Sequence, residues 1–256
     1  MSEPLPPGLR TSEGVEVRPA GSEVWLAASY HFPSTYSCKM PMSSMTSALA
    51  LPAPGPGTVR LALIKVGIEL CGPAYTREVL FPVIRAADVY IRPPERIALS
   101  VQHVHAVKAR VRGAQPAVQL QEAVVYREYA HAEGLLTIYV RVPLEFAEVF
   151  AELLMSIGYW GQTSSLACCV GVTRSAPDPG ECGREIRTLA QTDRVGQAYS
   201  CLVTEFRDKN VIWEEVVMDA RPENADGKLP AALRLEIYVW PLVAIERGEG
   251  RTLSRK

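Results

Sequence analysis

The chain has 256 residues, of which 48% are hydrophobic and 21% are charged, and its formal net charge is −1. This composition is typical of a globular protein with one or two domains and argues against a general nucleic-acid coat. No apolar stretch reaches the roughly 18 residues of a membrane helix, and residues 1–8 lack a secretory signal, so we expect a cytoplasmic protein without a membrane partner. The six cysteines form no C-x-x-C pair, which predicts free thiols and no zinc site.

The first elements are a strand and a helix. Residues 24–30 are β-rich and predict the first strand, whereas residues 32–51 are rich in Ser, Thr and Met and predict a mobile arm. A Pro/Gly run over 52–57 then leads into an apolar helix, predicted from about residue 58 to residue 71. Because the first N–H groups of a helix attract anions, this junction predicts a phosphate site.

The middle of the chain predicts strands followed by a second helix. Residues 79–81, 87–91 and 97–111 are expected to be extended, and residues 123–129 and 135–142 predict two strands joined in a hairpin by residues 131–134. Apolar spacing over 144–157 predicts a helix. The order strand, helix, strands, helix predicts an α+β, ferredoxin-like antiparallel sheet that two helices cover on one face.

The pattern weakens after residue 165, where strands are predicted over 166–172, 211–218 and 233–245. We therefore expect an N-terminal extension over 1–23, a ferredoxin-like domain over 24–165 with a loop at 31–57, and a C-terminal β-rich region over 166–256. That region is either a reduced second sheet or an elaboration of the first. Residues 60–141 hold eleven Lys and Arg against seven Asp and Glu. This excess of positive charge is compatible either with a surface that contacts a polyanion or with ordinary strand faces exposed to solvent.

Two clusters carry possible chemistry, and neither demands catalysis. His31, Tyr36 and Lys39 supply the base, acid and cation types that metal-free RNA cleavage uses, although Tyr36 packing in the core is the commoner arrangement. Tyr159 and Trp160 lie between glycines and suit either base stacking or burial against the sheet. No histidine spacing, and no pair of carboxylates, predicts a metal or catalytic site.

Four segments resemble motifs of one known family, in order. Residues 24–32 look like a first strand before a "thumb" loop, and residues 54–60 look like a P-x-P-x-T turn into a helix. Residues 126–129 with 135–140 look like an R-E-Y hairpin, and residues 157–162 look like an aromatic-glycine segment. Together they resemble the Cas-five family, a RAMP subunit of the type I CRISPR effector complex called Cascade. The chain departs from the family pattern at residues 29–31, where Phe-Arg is frequent, and in its Met/Ser-rich arm.

The resemblance implies an RRM/RAMP-type, non-catalytic subunit that caps Cascade and holds the crRNA 5′ handle. It implies contacts with the neighbouring backbone subunit and the large subunit, an indirect relation to target DNA, and no cofactor or metal. One branch of the family cleaves pre-crRNA with a Tyr/His/Lys set, so cleavage by His31, Tyr36 and Lys39 is the alternative. The hypothesis for RNA contacts names residues of the arm, the helix start, the hairpin and the aromatic segment: Lys39, Ser43, Ser44, Thr46, Thr58, Arg60, Arg127, Tyr159 and Trp160. Lys65 falls on the same helical face as Thr58.

Overall fold

Antiparallel sheets with few helices make up the computed structural model, which describes residues 22–43, 47–111, 118–186, 198–218, 229–247 and 250–255. The fold is therefore mixed α and β, as predicted. Nearly all of the predicted N-terminal extension lies outside the described residues. No helix within the described ranges is both long and apolar enough to cross a membrane.

The elements of the first half, in chain order, are β1 Glu23–His31, β2 Cys38–Lys39, β3 Ser47–Ala48, β4 Ala50–Leu51, α1 Pro56–Cys71, α2 Pro73–Tyr75, a π-helical turn Thr76–Leu80, α3 Phe81–Ala86, β5 Asp88–Arg92 and β6 Arg96–Val111. The elements of the second half are β7 Val118–Glu133, β8 Leu136–Pro143, a 3-10 turn Leu144–Phe146, α4 Ala147–Met155, β9 Cys168–Arg174, β10 Arg184–Glu185, β11 Tyr199–Phe206, α5 Trp213–Met218, β12 Leu233–Trp240, β13 Leu242–Arg247 and β14 Gly250–Arg255.

A four-stranded antiparallel sheet in the order β5-β8-β1-β9 forms the first layer. Successive side chains of a strand point to opposite faces, and the alternate residues Leu26, Ala28 and Tyr30 of β1 are buried in the core. The helices α1 and α4 pack on each other and on strands of this sheet, which places both on one face. The predicted boundary at 165 separates β9 from β1, although these two strands are hydrogen-bonded partners.

A second sheet contains a long hairpin of β6 and β7, which pair from Arg96↔Glu133 to Val111↔Val118. The predicted hairpin of residues 123–129 with 135–142 is wrong, because β7 pairs with β6 while β8 pairs with β1 and β5. Gly134, with a φ of +90°, lies at this change of sheet, and a Cβ there would lie 3.1 Å from the backbone N of Glu95. The short segment that resembles a hairpin turn is thus a crossing between sheets.

The C-terminal part contributes to two sheets. The strands β10, β12 and β11 form a three-stranded sheet in that order, and β13 and β14 extend the long hairpin through β6. The predicted strand over 211–218 is instead the helix α5, whose Trp213 packs edge-on against Phe81 at 5.5 Å. Residues 79–81, also predicted to be extended, lie in helical turns. Tertiary packing overrides the β propensity of the Val and Ile residues in these short segments.

Candidate nucleic-acid interface

Loop 31–57 packs against β7 in its described part and does not form the free arm that the sequence predicts. The strand β2 pairs with β4, β3 pairs in parallel with Tyr126 and Arg127 of β7, and Tyr36 bridges to Ala130. Buried Cys38, Ala50 and Leu51 give the loop its own share of the hydrophobic core. This burial stabilises a defined loop conformation.

Glu128 of β7 anchors the loop by two hydrogen bonds and also binds Arg251 of β14. Its carboxylate, with the residue only 4% exposed, accepts hydrogen bonds from the Ala50 N–H at 2.9 Å and from Arg251 Nη2 at 2.7 Å. Its carbonyl accepts a bond from Ser37 Oγ at 2.9 Å. Ser165 Oγ in turn accepts the Ser37 N–H at 2.9 Å. The base of the loop is therefore fixed to both β7 and the segment after α4.

Tyr36 is unavailable for chemistry. Its ring stacks on Phe32 with centroids 4.0 Å apart, and its hydroxyl donates to the Pro52 carbonyl at 2.6 Å in a fully buried position. Burial raises the pKa of Tyr36 well above its ordinary value, so this hydroxyl does not ionise near neutral pH. His31 and Lys39 are exposed. The predicted set of His31, Tyr36 and Lys39 therefore does not assemble as a catalytic site.

The start of α1 is not an open phosphate site, contrary to the prediction. Pro56 and Gly57 are buried, and a Cβ on Gly57 would lie 2.7 Å from the carbonyl oxygen of Thr204 in β11. Arg60 is 8% exposed, and its Nε donates to Glu205 Oε1 at 2.8 Å. The helix start packs on β11, and Glu205 neutralises the predicted phosphate ligand Arg60. Thr58 remains half-buried at the edge.

The predicted residues Lys39 and Arg127 lie on two segments that both contact the segment after α4. Arg127 Nη1 donates to Gln162 Oε1 at 2.9 Å. Gly161, with a φ of +79°, lies so close to the loop that a Cβ would lie 2.9 Å from the Ser37 carbonyl and 3.0 Å from Cys38 Cα. Lys39 directly follows Cys38, and Gln162 directly follows Gly161. We call Lys39, Arg127 and Gln162 the loop-base surface.

A cleft of about 240 Å³ opens beside this surface, between α1 and the segment after α4. We call it the helix cleft; the residues that line it include Thr58, Leu61, Lys65, Val66, Tyr159 and Trp160. Lys65 Nζ lies 5.1 Å from the centre of the Tyr159 ring and 2.6 Å from Glu69 Oε1. The hydrogen bond with Glu69 raises the pKa of Lys65, so its ammonium stays charged.

The two predicted stacking aromatics differ in accessibility. Trp160 is fully buried and packs edge-on against Tyr30 at 5.2 Å, so it cannot stack on a base at the surface as predicted. Tyr159 is half-buried. Burial against the sheet, the commoner fate of such an aromatic, applies to Trp160.

The remaining predicted contacts lie in loop 31–57. Ser43 is half-buried, and its N–H donates to the Met40 carbonyl at 3.3 Å. Ser44 and Thr46 lie outside the described residues. Gln162 is not among the predicted site residues. Its bond joins it to Arg127, 35 positions away, and no local sequence pattern indicates such a contact. Among the described side chains, no three His, Cys, Asp or Glu residues group as metal ligands.

Part of this chain is similar to a known protein. No protein-family model matches the chain. Over 76 residues it is 37% identical to CRISPR-associated protein Cas5 of Archaeoglobus fulgidus, a match that spans 30% of this chain and 33% of that protein. A crystal structure of a CRISPR protein from Archaeoglobus fulgidus aligns over 91% of this chain and 92% of its own, at 12% identity and a TM-score of 0.37, too low to support a fold argument. The sequence match confirms the predicted resemblance to the Cas-five family.

Proposed function

We propose that this chain is a Cas-five family subunit of a type I CRISPR effector complex, and that it holds the crRNA 5′ handle without cleaving it. The sequence match to a CRISPR-associated protein Cas5 supports the family. The observation that carries the RNA-binding role is the loop-base surface, where Arg127, bonded to Gln162, lies beside the loop that bears Lys39.

The order of elements in the four-stranded sheet supports the finer part of the proposed fold. Around β5-β8-β1-β9, the chain order is strand, α1, two strands, α4, strand, and both helices cover one face. This order is that of a β-α-β-β-α-β ferredoxin-like unit, as in RAMP proteins. Loop 31–57 takes the place of the thumb between the first strand and the first helix.

Arg127 is suited to phosphate because its charge is not neutralised. Its bond goes to the neutral amide of Gln162, and no carboxylate pairs with it among the residues that the structure describes. Arg60, by contrast, is bonded to the Glu205 carboxylate. A guanidinium with full charge and free N–H groups binds phosphate oxygens strongly.

In this proposal the side chains at and near the loop-base surface contact different parts of the RNA. Lys39 and Arg127 bind phosphates, Lys65 adds a weaker charge because Glu69 pairs with it, and the polar groups of Thr58 and Gln162 suit ribose hydroxyls. Ser43, Ser44 and Thr46 remain proposed contributors from the loop. The chain would lie beside the backbone subunit and the large subunit in the cytoplasm, and would meet target DNA through the crRNA.

The test is salt-dependent binding of handle-containing RNA by the assembled complex. Lys39→Ala and Arg127→Ala should each weaken binding and lower the slope of log K against log salt concentration by about 0.7, the value for one contact to a single strand. Lys209→Ala is the matched control, because Lys209 is an exposed lysine in the loop after β11. Unchanged affinity and slope in both interface variants would contradict the proposal.

Pre-crRNA cleavage is tested separately. The purified chain is incubated with precursor repeat RNA in the absence of metal, and we expect no products because buried Tyr36 cannot exchange a proton with a substrate. Products that disappear in His31→Ala would make this chain the processing enzyme and would contradict the non-catalytic role.

A further inference from the structure

A cleft of about 620 Å³ separates β5, an edge strand of the four-stranded sheet, from the three-stranded sheet of β10, β12 and β11. Asp88, Val89 and Tyr90 line it from β5, and residues of β10, β11 and β12 line it from the other side. We call it the sheet-edge cleft. It shares no lining residue with the helix cleft and includes none of the loop-base surface, so it is separate from the proposed RNA interface.

The outer edge of β5 carries unpaired backbone groups. The Ile91 carbonyl accepts the Gly183 N–H at 2.8 Å, so it points away from β8, which pairs with the other edge of β5. Because backbone groups of alternate residues in an antiparallel strand point to the same edge, the N–H and carbonyl of Val89 also lie on the outer edge. Among the described residues, neither group of Val89 has a partner on this edge. A free strand edge of this kind can accept another strand.

The cleft also has positive charge that nothing neutralises. Four of its carboxylates already form ion pairs with arginines: Asp88, Glu205, Asp208 and Glu236. By contrast, Arg85 donates to the neutral Val211 carbonyl at 3.1 Å, and Arg184 is exposed at the edge strand β10. In the part of the chain that the structure describes, no carboxylate pairs with either arginine. A bound molecule with acidic groups would supply the missing partners.

We propose that the sheet-edge cleft binds an extended acidic segment of a partner protein, which adds as a strand to the outer edge of β5. Backbone hydrogen bonds to Val89 hold the segment, and its Asp or Glu side chains pair with Arg85 and Arg184. This inference goes beyond the proposed function and does not rest on RNA binding.

The same groups favour a peptide over a nucleic acid. A peptide backbone offers an acceptor and a donor at the spacing of the Val89 N–H and carbonyl, as in any strand pairing. It can also place its acidic side chains only where arginines lie. A nucleic acid carries a phosphate at every residue, so it would bring some of its charges close to the carboxylates that line the cleft.

The probe is a fluorescent ten-residue peptide of alternating Glu and Thr, titrated into the full chain and followed by anisotropy. We expect it to bind, and the same peptide with Lys in place of Glu not to bind. Two further peptides are N-methylated on either the odd or the even residues. Only one set of N–H groups faces β5 in a paired strand, so one methylated peptide should lose about 5-fold in affinity for each lost hydrogen bond and the other should bind normally.

Variants locate the site on the protein. Arg184→Glu should weaken binding of the acidic peptide about 5-fold, the effect of one exposed ion pair. Arg174→Glu is the control, because Arg174 is an exposed arginine on β9, at the opposite edge of the same sheet. In the wild type, saturating peptide should slow deuterium exchange of the Val89 amide about 10-fold or more, since this N–H becomes hydrogen-bonded.

The proposal is wrong if the acidic peptide does not bind, if both methylated peptides bind as well as the unmodified one, or if the Val89 amide is not protected. A ten-nucleotide oligouridylate separates the two classes of macromolecule. If it binds more tightly than the peptide and loses affinity in Arg184→Glu, the cleft is a nucleic-acid site instead. None of these results bears on Lys39 and Arg127, so the RNA-binding proposal stands or fails by its own test.

Discussion

Arg60 of α1 and Glu205 of β11 form an ion pair that joins the first helix to the C-terminal part of the chain. Nε and Oε1 are 2.8 Å apart, and the two side chains are only 10% and 15% exposed. A second bond, from Arg60 Nη1 to the Ile84 carbonyl at 2.6 Å, ties the same guanidinium to α3. Arg60, which the sequence predicts as an RNA phosphate ligand, therefore holds two parts of the fold together.

Replacing Arg60 should destabilise the fold. Arg60→Ala leaves Glu205 as an uncompensated charge in a mostly buried site, so we expect the free energy of unfolding to fall by about 3 to 5 kcal/mol. Urea denaturation measures this change. Arg77→Ala is the control, because its pair with Glu214 is about half exposed and should contribute less than about 1 kcal/mol. If the Arg60→Ala protein is as stable as the wild type but binds RNA with a lower salt slope, the structural role is wrong and Arg60 is a phosphate ligand.

Gly57 should not tolerate a side chain. Alanine normally favours a helix over glycine, by about 1 kcal/mol, but a Cβ at this position would lie 2.7 Å from the Thr204 carbonyl oxygen and 3.0 Å from Glu205 Cα. Because both atoms belong to the backbone, α1 and β11 must separate, and we expect Gly57→Ala to lower the free energy of unfolding by about 1 to 3 kcal/mol. Thermal or urea denaturation checks this. Gly171→Ala, in open space, should change stability little.

Glu128 should control how tightly loop 31–57 is held. Glu128→Ala removes the acceptor of the Ala50 N–H and the partner of Arg251. We expect the Ala50 amide to exchange with deuterium about 10- to 100-fold faster, since one charge-assisted bond is lost. Glu133→Ala, which breaks the exposed pair with Arg96, should leave this exchange rate unchanged. If the Ala50 amide exchanges as slowly in Glu128→Ala as in the wild type, apolar packing alone holds the loop.

Cys38 should make the protein less stable at alkaline pH. Burial raises the pKa of Cys38 to about 12, whereas an unfolded thiol has a pKa of about 8.5. Above pH 8.5 the unfolded chain releases this proton and the folded chain keeps it, so the free energy of unfolding falls until about pH 12. From pH 8 to pH 10 the contribution is about 1 to 2 kcal/mol. Urea denaturation at both values should show a smaller fall in Cys38→Ala, and the wild-type fall in Cys168→Ala, where the thiol is exposed.

Local periodicity predicted much of the fold. The first strand, the helix that ends at Cys71, the strand that ends at Val111 and the helix near residues 144–157 have close counterparts in β1, α1, β6 and α4 with its preceding turn. The first strand is rich in β-formers, the first helix is bounded by Pro/Gly segments, and the second helix has apolar residues at helical spacing. Short segments such as 211–218 lack such signals, and there packing decided the outcome.

Long-range contacts could not be predicted in this way. Glu205 lies 145 positions from Arg60, and nothing near Arg60 indicates that a carboxylate will neutralise it. Likewise, the segment ending at Gly134 has the length of a hairpin turn, yet β7 and β8 belong to different sheets. For the interface, sequence reasoning selected Lys39, Arg127 and Tyr159 but could not show that Gln162 bonds Arg127 or that Trp160 is buried.

The pairing of β14 with the base of the long hairpin has a kinetic consequence. Leu99 and Arg251, which face each other in this ladder, are separated by about 150 positions along the chain. The polypeptide must close that large loop, and lose the corresponding conformational entropy, before the strand pairing contributes any stabilising free energy. Refolding from denaturant should therefore be slow, and β6 should present an unpaired edge to other molecules until its distant neighbour arrives.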